Sequence, residues 1–103
     1  MSKETIGEKL RFLREKKELP LRKVAAIIDI DVAVLSKMER GERKLSKDIV
    51  SKLSKIYDYN TDELLVLFLS DKILYEIQNE ELGEKALKVA EQRVKFLKVN
   101  KDK

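Results

Sequence analysis

The sequence predicts an all-α fold, with five helices in a first domain and an additional helix towards the C-terminus. Apolar residues recur at intervals of three and four along most of the chain, the spacing of one helix face. Start signals precede several of these stretches. Thr5 with Glu8 matches a capping box, as does Asn60 with Glu63, and Ser46 is a favourable N-cap. Charged residues make up 41% of the chain, as expected for amphipathic helices with solvated outer faces.

The first helix is expected from about Thr5 to Lys17. Its buried stripe contains Ile6, Leu10 and Leu13 at helical spacing. Phe12 lies off this stripe, so it is either partly exposed or covered by an element outside the five-helix core.

The sequence of residues 19–45 predicts two short helices joined at an angle. Pro20 suits the first turn of the first of these helices because that position needs no N–H, and Val24, Ala25 and Ile28 share one face. Asp31 can cap the second helix by accepting from backbone N–H groups. This pattern describes a helix-turn-helix.

The second helix of the motif has a buried and an exposed face. Leu35 and Met38 form the inward stripe, and Gly41 ends the helix because glycine readily takes a positive φ. The face that remains outward carries Val32, Ala33, Ser36, Lys37 and Arg40.

These residues resemble the lambda-repressor-like (Cro/XRE) family of DNA-binding domains. The resemblance rests on Val24-Ala25, on Ile30 in the turn and on the run from Leu35 to Lys44, and it extends over roughly residues 5–69. Three positions depart from the family pattern. Pro20-Leu21 replaces the usual Ser or Thr cap and Gln, Asp29 replaces a Gly in the turn, and an apolar run replaces the polar start of the recognition helix.

The motif assigns base contacts to the outward face of the recognition helix. Lys37 is the first candidate, because a long cation one turn into the helix can reach guanine O6 and N7; a solvated or phosphate-bound lysine is the alternative. Val32 and Ala33 suit thymine methyl groups, although they could instead pack on another protein element. Ser36 completes this face.

Four cations follow the same face and are expected to contact phosphates. Arg40, Arg43, Lys44 and Lys47 surround the end of the recognition helix and the start of the fourth helix, whose N-terminus can assist anion binding. A basic run is more often only a solvated surface. The family resemblance also implies an ion pair between Arg14 and Glu39 that would orient the recognition helix.

The C-terminal part predicts a dimerisation element. We expect a DNA-binding domain over residues 1–69 and a helical extension over residues 70–103. Six consecutive apolar residues, 64–69, exceed what one small domain can cover, so Leu65, Phe68 and Leu69 are expected to dimerise. The sixth helix adds a second apolar stripe, which would join this interface or fold back over its own protomer.

The amino-acid composition excludes several classes of function. The chain has no histidine and no cysteine, which excludes thiolate metal sites and His or Cys catalysis, so we expect no enzyme, no metal and no cofactor. No stretch resembles a signal peptide or a membrane span, and a cytoplasmic location is expected. Residues 1–60 carry 15 Lys+Arg against 10 Asp+Glu, whereas residues 61–103 carry 8 against 9, so the positive field belongs to the first part.

Together these features predict a transcriptional regulator that binds double-stranded DNA as a homodimer. Repression or activation would depend on where its site lies relative to a promoter. The alternative is a protein-interaction module on a helix-turn-helix scaffold, which Asp29, Asp31 and the apolar run at residues 32–34 favour. The salt dependence of binding to random duplex DNA separates the two functions.

Overall fold

The predicted all-α class is confirmed. The computed structural model describes residues 4–101, with side chains up to Val99, and this part of the chain contains helices and no strand. The helices are α1 (Ile6–Lys16), α2 (Leu21–Ile27), α3 (Val32–Glu39), α4 (Lys47–Ile56), α5 (Thr61–Ile77) and α6 (Gly83–Lys101). The chain divides into two compact units, one reaching to Asp71 and one beginning at Lys72.

The first unit is built around leucines contributed by four different helices. Leu10, Leu35, Leu53 and Leu64 come from α1, α3, α4 and α5, and each is at most 1% exposed. Burial of one such side chain contributes roughly 1.5–3 kcal/mol to folding. The short recognition helix is therefore fixed by packing as much as by its own backbone hydrogen bonds.

Side-chain caps start four of these helices as expected, and at the start of α5 the Asn60 side-chain oxygen accepts from the Glu63 N–H at 2.9 Å. Thr5 and Glu8 form the reciprocal capping box of α1. The Asp31 carboxylate accepts from the Ala33 N–H at 2.7 Å at the start of α3, and the Ser46 hydroxyl accepts from the Ile49 N–H at 3.2 Å at the start of α4. One expectation differs, because Pro20 has extended backbone (ψ 150°) and precedes the first helical residue of α2 instead of lying within its first turn.

Helices α1 to α4 all end in the same backbone motif. One residue after each C-cap has a positive φ: Glu18 at 56°, Asp29 at 57°, Gly41 at 76° and Asp58 at 51°. At the end of α2, for example, the Asp29 N–H donates to Ala26 O and the Ile30 N–H donates to Ala25 O. This pair of bonds is the Schellman motif. Only one of the four positions carries the glycine that usually marks it.

The inner face of α5 corrects one expected dimer contact. Leu64 and Phe68 are 1% and 3% exposed and belong to the core of the first unit, so Phe68 is not available as a surface contact. Leu65 is half-buried and Leu69 is 42% exposed. The sequence pattern missed this division because all six residues from 64 to 69 are apolar and give no periodic signal.

The second unit exposes most of its large apolar side chains. Gly83 starts α6 in close approach to the end of α5, where an added Cβ would lie 2.4 Å from Ile77 O. Beyond it, Val89, Val94 and Leu97 are each more than half exposed. The outer face of α6 is therefore unpartnered within its own unit.

Candidate nucleic-acid interface

Helix α3 has a buried face and an outward face that fit a recognition helix. Leu35 and Met38 are 1% and 5% exposed and anchor it in the core. On the opposite side, Ala33 and Lys37 are exposed, and Val32 is 39% exposed. Ser36, on the same face, is partly exposed. The helix thus presents one long cation among small side chains.

The cations that follow α3 are solvent-exposed but not equivalent. Arg43 and Lys44 lie in the connection between α3 and α4, and Lys47 is the first residue of α4. Arg40 also is exposed, but its Nε lies 3.0 Å from Oε2 of Glu42, so its charge is partly compensated in the free protein. Sequence reasoning missed Glu42, although a carboxylate two residues from an arginine was a visible signal.

An acidic side chain stands at the start of the recognition helix. The Asp31 carboxylate accepts from Ala33 N–H and so satisfies one of the free donors at that helix end. A negative charge there stabilises the helix dipole. It also occupies the position at which an incoming phosphate would otherwise find free N–H groups.

The Arg14 and Glu39 side chains meet in a bidentate ion pair. Nε of Arg14 donates to Oε2 of Glu39 at 2.8 Å, and Nη2 donates to Oε1 at 3.0 Å. Nη1 of the same arginine donates to Leu19 O at 2.9 Å. The hydrogen bond to Glu39 raises the pKa of Arg14 above its ordinary value, against the opposing effect of burial. This pair joins α1 to the last residue of α3.

Gly7 brings α1 and the end of α3 into close approach. A Cβ at this position would lie 2.6 Å from both Met38 O and Glu39 O, which is closer than non-bonded atoms tolerate. Any larger residue would push the two helices apart. Sequence reasoning overlooked Gly7, but a lone glycine inside a helical pattern is a signal of such an approach.

Tyr57 is a buried neighbour of this ion pair that the sequence did not reveal. The residue is 2% exposed, and its hydroxyl has no hydrogen-bond partner among the described residues. Burial, together with the nearby Glu39 carboxylate, raises the pKa of Tyr57 well above its usual range. Nothing in the sequence distinguishes an unpaired hydroxyl from a bonded one.

The part of the chain that the structure describes contains neither a candidate metal site nor a membrane-spanning helix. Between residues 4 and 101, no group of three or more acidic side chains is arranged to hold a metal ion. Over the same stretch, no helix is both long and apolar enough to cross a bilayer.

Comparison with known proteins identifies the domain. A helix-turn-helix family model of the Cro/XRE type matches residues 10–64, more than half of the chain. The crystal structure of a hypothetical protein from E. coli has a similar fold, with a TM-score of 0.66 and 23% identity, over 90% of this chain and 99% of that one. No curated protein matches. The match over residues 10–64 covers both helices of the motif and their core, and the chain belongs to the Cro/XRE family of DNA-binding helix-turn-helix regulators.

Proposed function

We propose that the chain regulates transcription by binding specific DNA sequences as a homodimer. The observation that carries this proposal is the outward face of α3, where Lys37 stands exposed while Leu35 and Met38 are locked in the core. A helix presented in this way fits the major groove, in which base edges are distinguishable. Lys37 would read guanine, and Val32 with Ala33 would contact thymine methyl groups.

The exposed cations after α3 supply the phosphate contacts. Arg43, Lys44 and Lys47 follow the recognition helix directly, so they meet the backbone on its flank when α3 enters the groove. Arg40 would exchange Glu42 for a phosphate on binding. These contacts fix the position of the protein on the duplex and carry no sequence information.

The homodimer is proposed from the exposed apolar surface outside the DNA face. Leu65 and Leu69 on α5 lie beside Val66, which is 67% exposed, and α6 adds its own exposed apolar face. A two-fold dimer presents two recognition helices to half-sites about one helical turn apart. The operator would then be a palindrome.

Selection from a random duplex library with the purified full chain tests both parts of the proposal. The expected result is a palindromic consensus with half-site centres about 10 base pairs apart. A non-palindromic consensus would retain sequence-specific binding and refute the dimer, whereas enrichment of no sequence would refute specific recognition.

A matched pair of lysines on α4 tests the phosphate contacts. Lys47 is the first residue of α4 and Lys55 lies in its last turn, and both are exposed. Lys47→Ala should weaken binding to all sequences and flatten the slope of log affinity against log salt by about one per protomer. Lys55→Ala removes the same charge from the same helix and should leave the slope unchanged. Equal slopes for both variants would contradict the assignment of Lys47.

The second candidate function is a protein-interaction module on the same scaffold. It is favoured by the acid at the start of α3 together with exposed apolar side chains, since Val32 and Ile27 are 39% and 57% exposed. A module of this kind would bind random duplex DNA weakly and with a shallow salt slope. A steep negative slope rejects it.

A further inference from the structure

Acidic and basic side chains are segregated along the second unit. Residues 76–84 contain four glutamates and no basic residue, whereas residues 85–98 contain five Lys or Arg and a single glutamate, Glu91. Three of these four glutamates precede α6, whose own acidic residues are Glu84 and Glu91, whereas Arg93, Lys95 and Lys98 make its second half positive. Glu84 and Lys98, near its two ends, are both exposed, and no salt bridge within the described residues involves either of them.

The apolar stripe of α6 has the spacing of a helix-pairing seam. Leu87, Ala90, Val94 and Leu97 follow one another at intervals of three, four and three residues, which is the a/d pattern of a coiled coil. Val94 and Leu97 are each 63% exposed. Glu84, Glu91 and Lys98 recur at intervals of seven beside this stripe, in the flanking position whose charges meet across a helix pair.

We propose that α6 pairs in an antiparallel manner with α6 of a second copy of this chain, an inference that rests on the homodimer proposed above. Charge complementarity selects the second copy and the direction. In an antiparallel pair, Glu84 meets Lys98 of the partner subunit, and the two-fold axis repeats this contact at the other end. A parallel pair would instead bring the two basic second halves of α6 together, where Arg93, Lys95 and Lys98 repel their copies. Glu84 and Lys98 are separated by roughly 21 Å along the helix, at 1.5 Å per residue.

Charge reversal in the full-length chain tests the direction by sedimentation equilibrium at low ionic strength. Glu84→Lys and Lys98→Glu should each weaken self-association by about tenfold, because two symmetric attractions become repulsions. The double variant Glu84→Lys/Lys98→Glu restores both contacts with their signs exchanged, so it should dimerise within about threefold of the unmodified chain. Lys88→Glu reverses the same charge on the polar side of α6 and should have little effect.

The two-fold axis also predicts an effect for Glu91, and this effect is opposite in sign to those of the two charge reversals. Midway between Glu84 and Lys98, Glu91 faces its own copy in the antiparallel pair, so Glu91→Gln should tighten the dimer by removing a like-charge contact. The proposal is overturned if the double variant stays as weak as the single variants, or if Lys88→Glu weakens the dimer as much as Lys98→Glu. A monomeric full-length chain would overturn the homodimer as well, whereas DNA selection reports on sequence recognition independently of these variants.

Discussion

Breaking one side of the Arg14–Glu39 pair should destabilise the fold by about 3–5 kcal/mol, the usual cost of stranding a buried charge. The two side chains are only 11% and 4% exposed, and two hydrogen bonds of 2.8 and 3.0 Å join them. Arg14→Ala should be the more damaging change, because it strands the more buried carboxylate and also removes the donor to Leu19 O. The free energy of unfolding would be measured by urea denaturation followed by circular dichroism.

A double-mutant cycle tests whether this cost comes from the pair itself. The variant Arg14→Ala/Glu39→Ala should lose roughly 2–3 kcal/mol less than the sum of the two single variants, since neither charge remains stranded. The matched control lies on the same helix, where Arg11 and Glu15 form an i,i+4 pair at 3.5 Å with both side chains more than half exposed. Its coupling energy should not exceed about 0.5 kcal/mol. Additive losses for the buried pair would refute the argument.

Three further predictions concern single residues. Lys37→Ala should cost about 1–3 kcal/mol on the selected site and relax the preference at one base position per half-site, measured by repeating the selection; uniform weakening on all sequences would mark Lys37 as a phosphate contact. Asp29→Gly should stabilise the fold by about 0.5–1 kcal/mol in urea denaturation, because glycine carries less strain at the observed φ of 57°, while Ala26→Gly, inside α2, should destabilise it by a similar amount. Tyr57→Phe should change the pH dependence of stability. The pKa of Tyr57 is raised from 10.0 in the folded state, so the unfolded chain loses this proton first as the pH rises. The free energy of unfolding should therefore decline above pH 10, by up to about 1.4 kcal/mol per pH unit. The phenylalanine variant should lack that part of the alkaline decline, and identical alkaline slopes would refute the shifted pKa.

The sequence predicted where helices begin better than where they end. Starts depend on side chains such as Thr5, Asp31 and Ser46, whose hydroxyl or carboxylate groups cap backbone N–H groups and are visible in the sequence. Helix ends depend on one residue with a positive φ, and only at Gly41 does a glycine in the sequence indicate that residue. Asp29 and its counterparts at the ends of α1 and α4 adopt the same conformation without glycine, because the surrounding packing outweighs the local cost.

At the candidate site, the outward face of α3 was predictable from the sequence, whereas the contacts that hold α3 against α1 were less predictable. Periodicity alone separates Leu35 and Met38 from the exposed Lys37. The Arg14–Glu39 contact spans 25 residues and followed only from family resemblance. The close approach at Gly7 depends on the distance between two helices, which no local pattern encodes.

The orientation of the recognition helix is a property of α1 as much as of α3. A helix of eight residues is too short to be stable alone, since isolated helices need about 12–15 residues. Its direction is set instead at its last turn, where Gly7 contacts two of its carbonyl groups and Arg14 binds its final carboxylate. Both contacts come from one face of α1, and Asp71 of α5 accepts from the Ile6 N–H at 2.8 Å at the start of that helix. If Lys37 reads a base as proposed, changes in α1 that never touch DNA should shift its position in the groove and weaken sequence recognition, because a bidentate base contact tolerates little displacement.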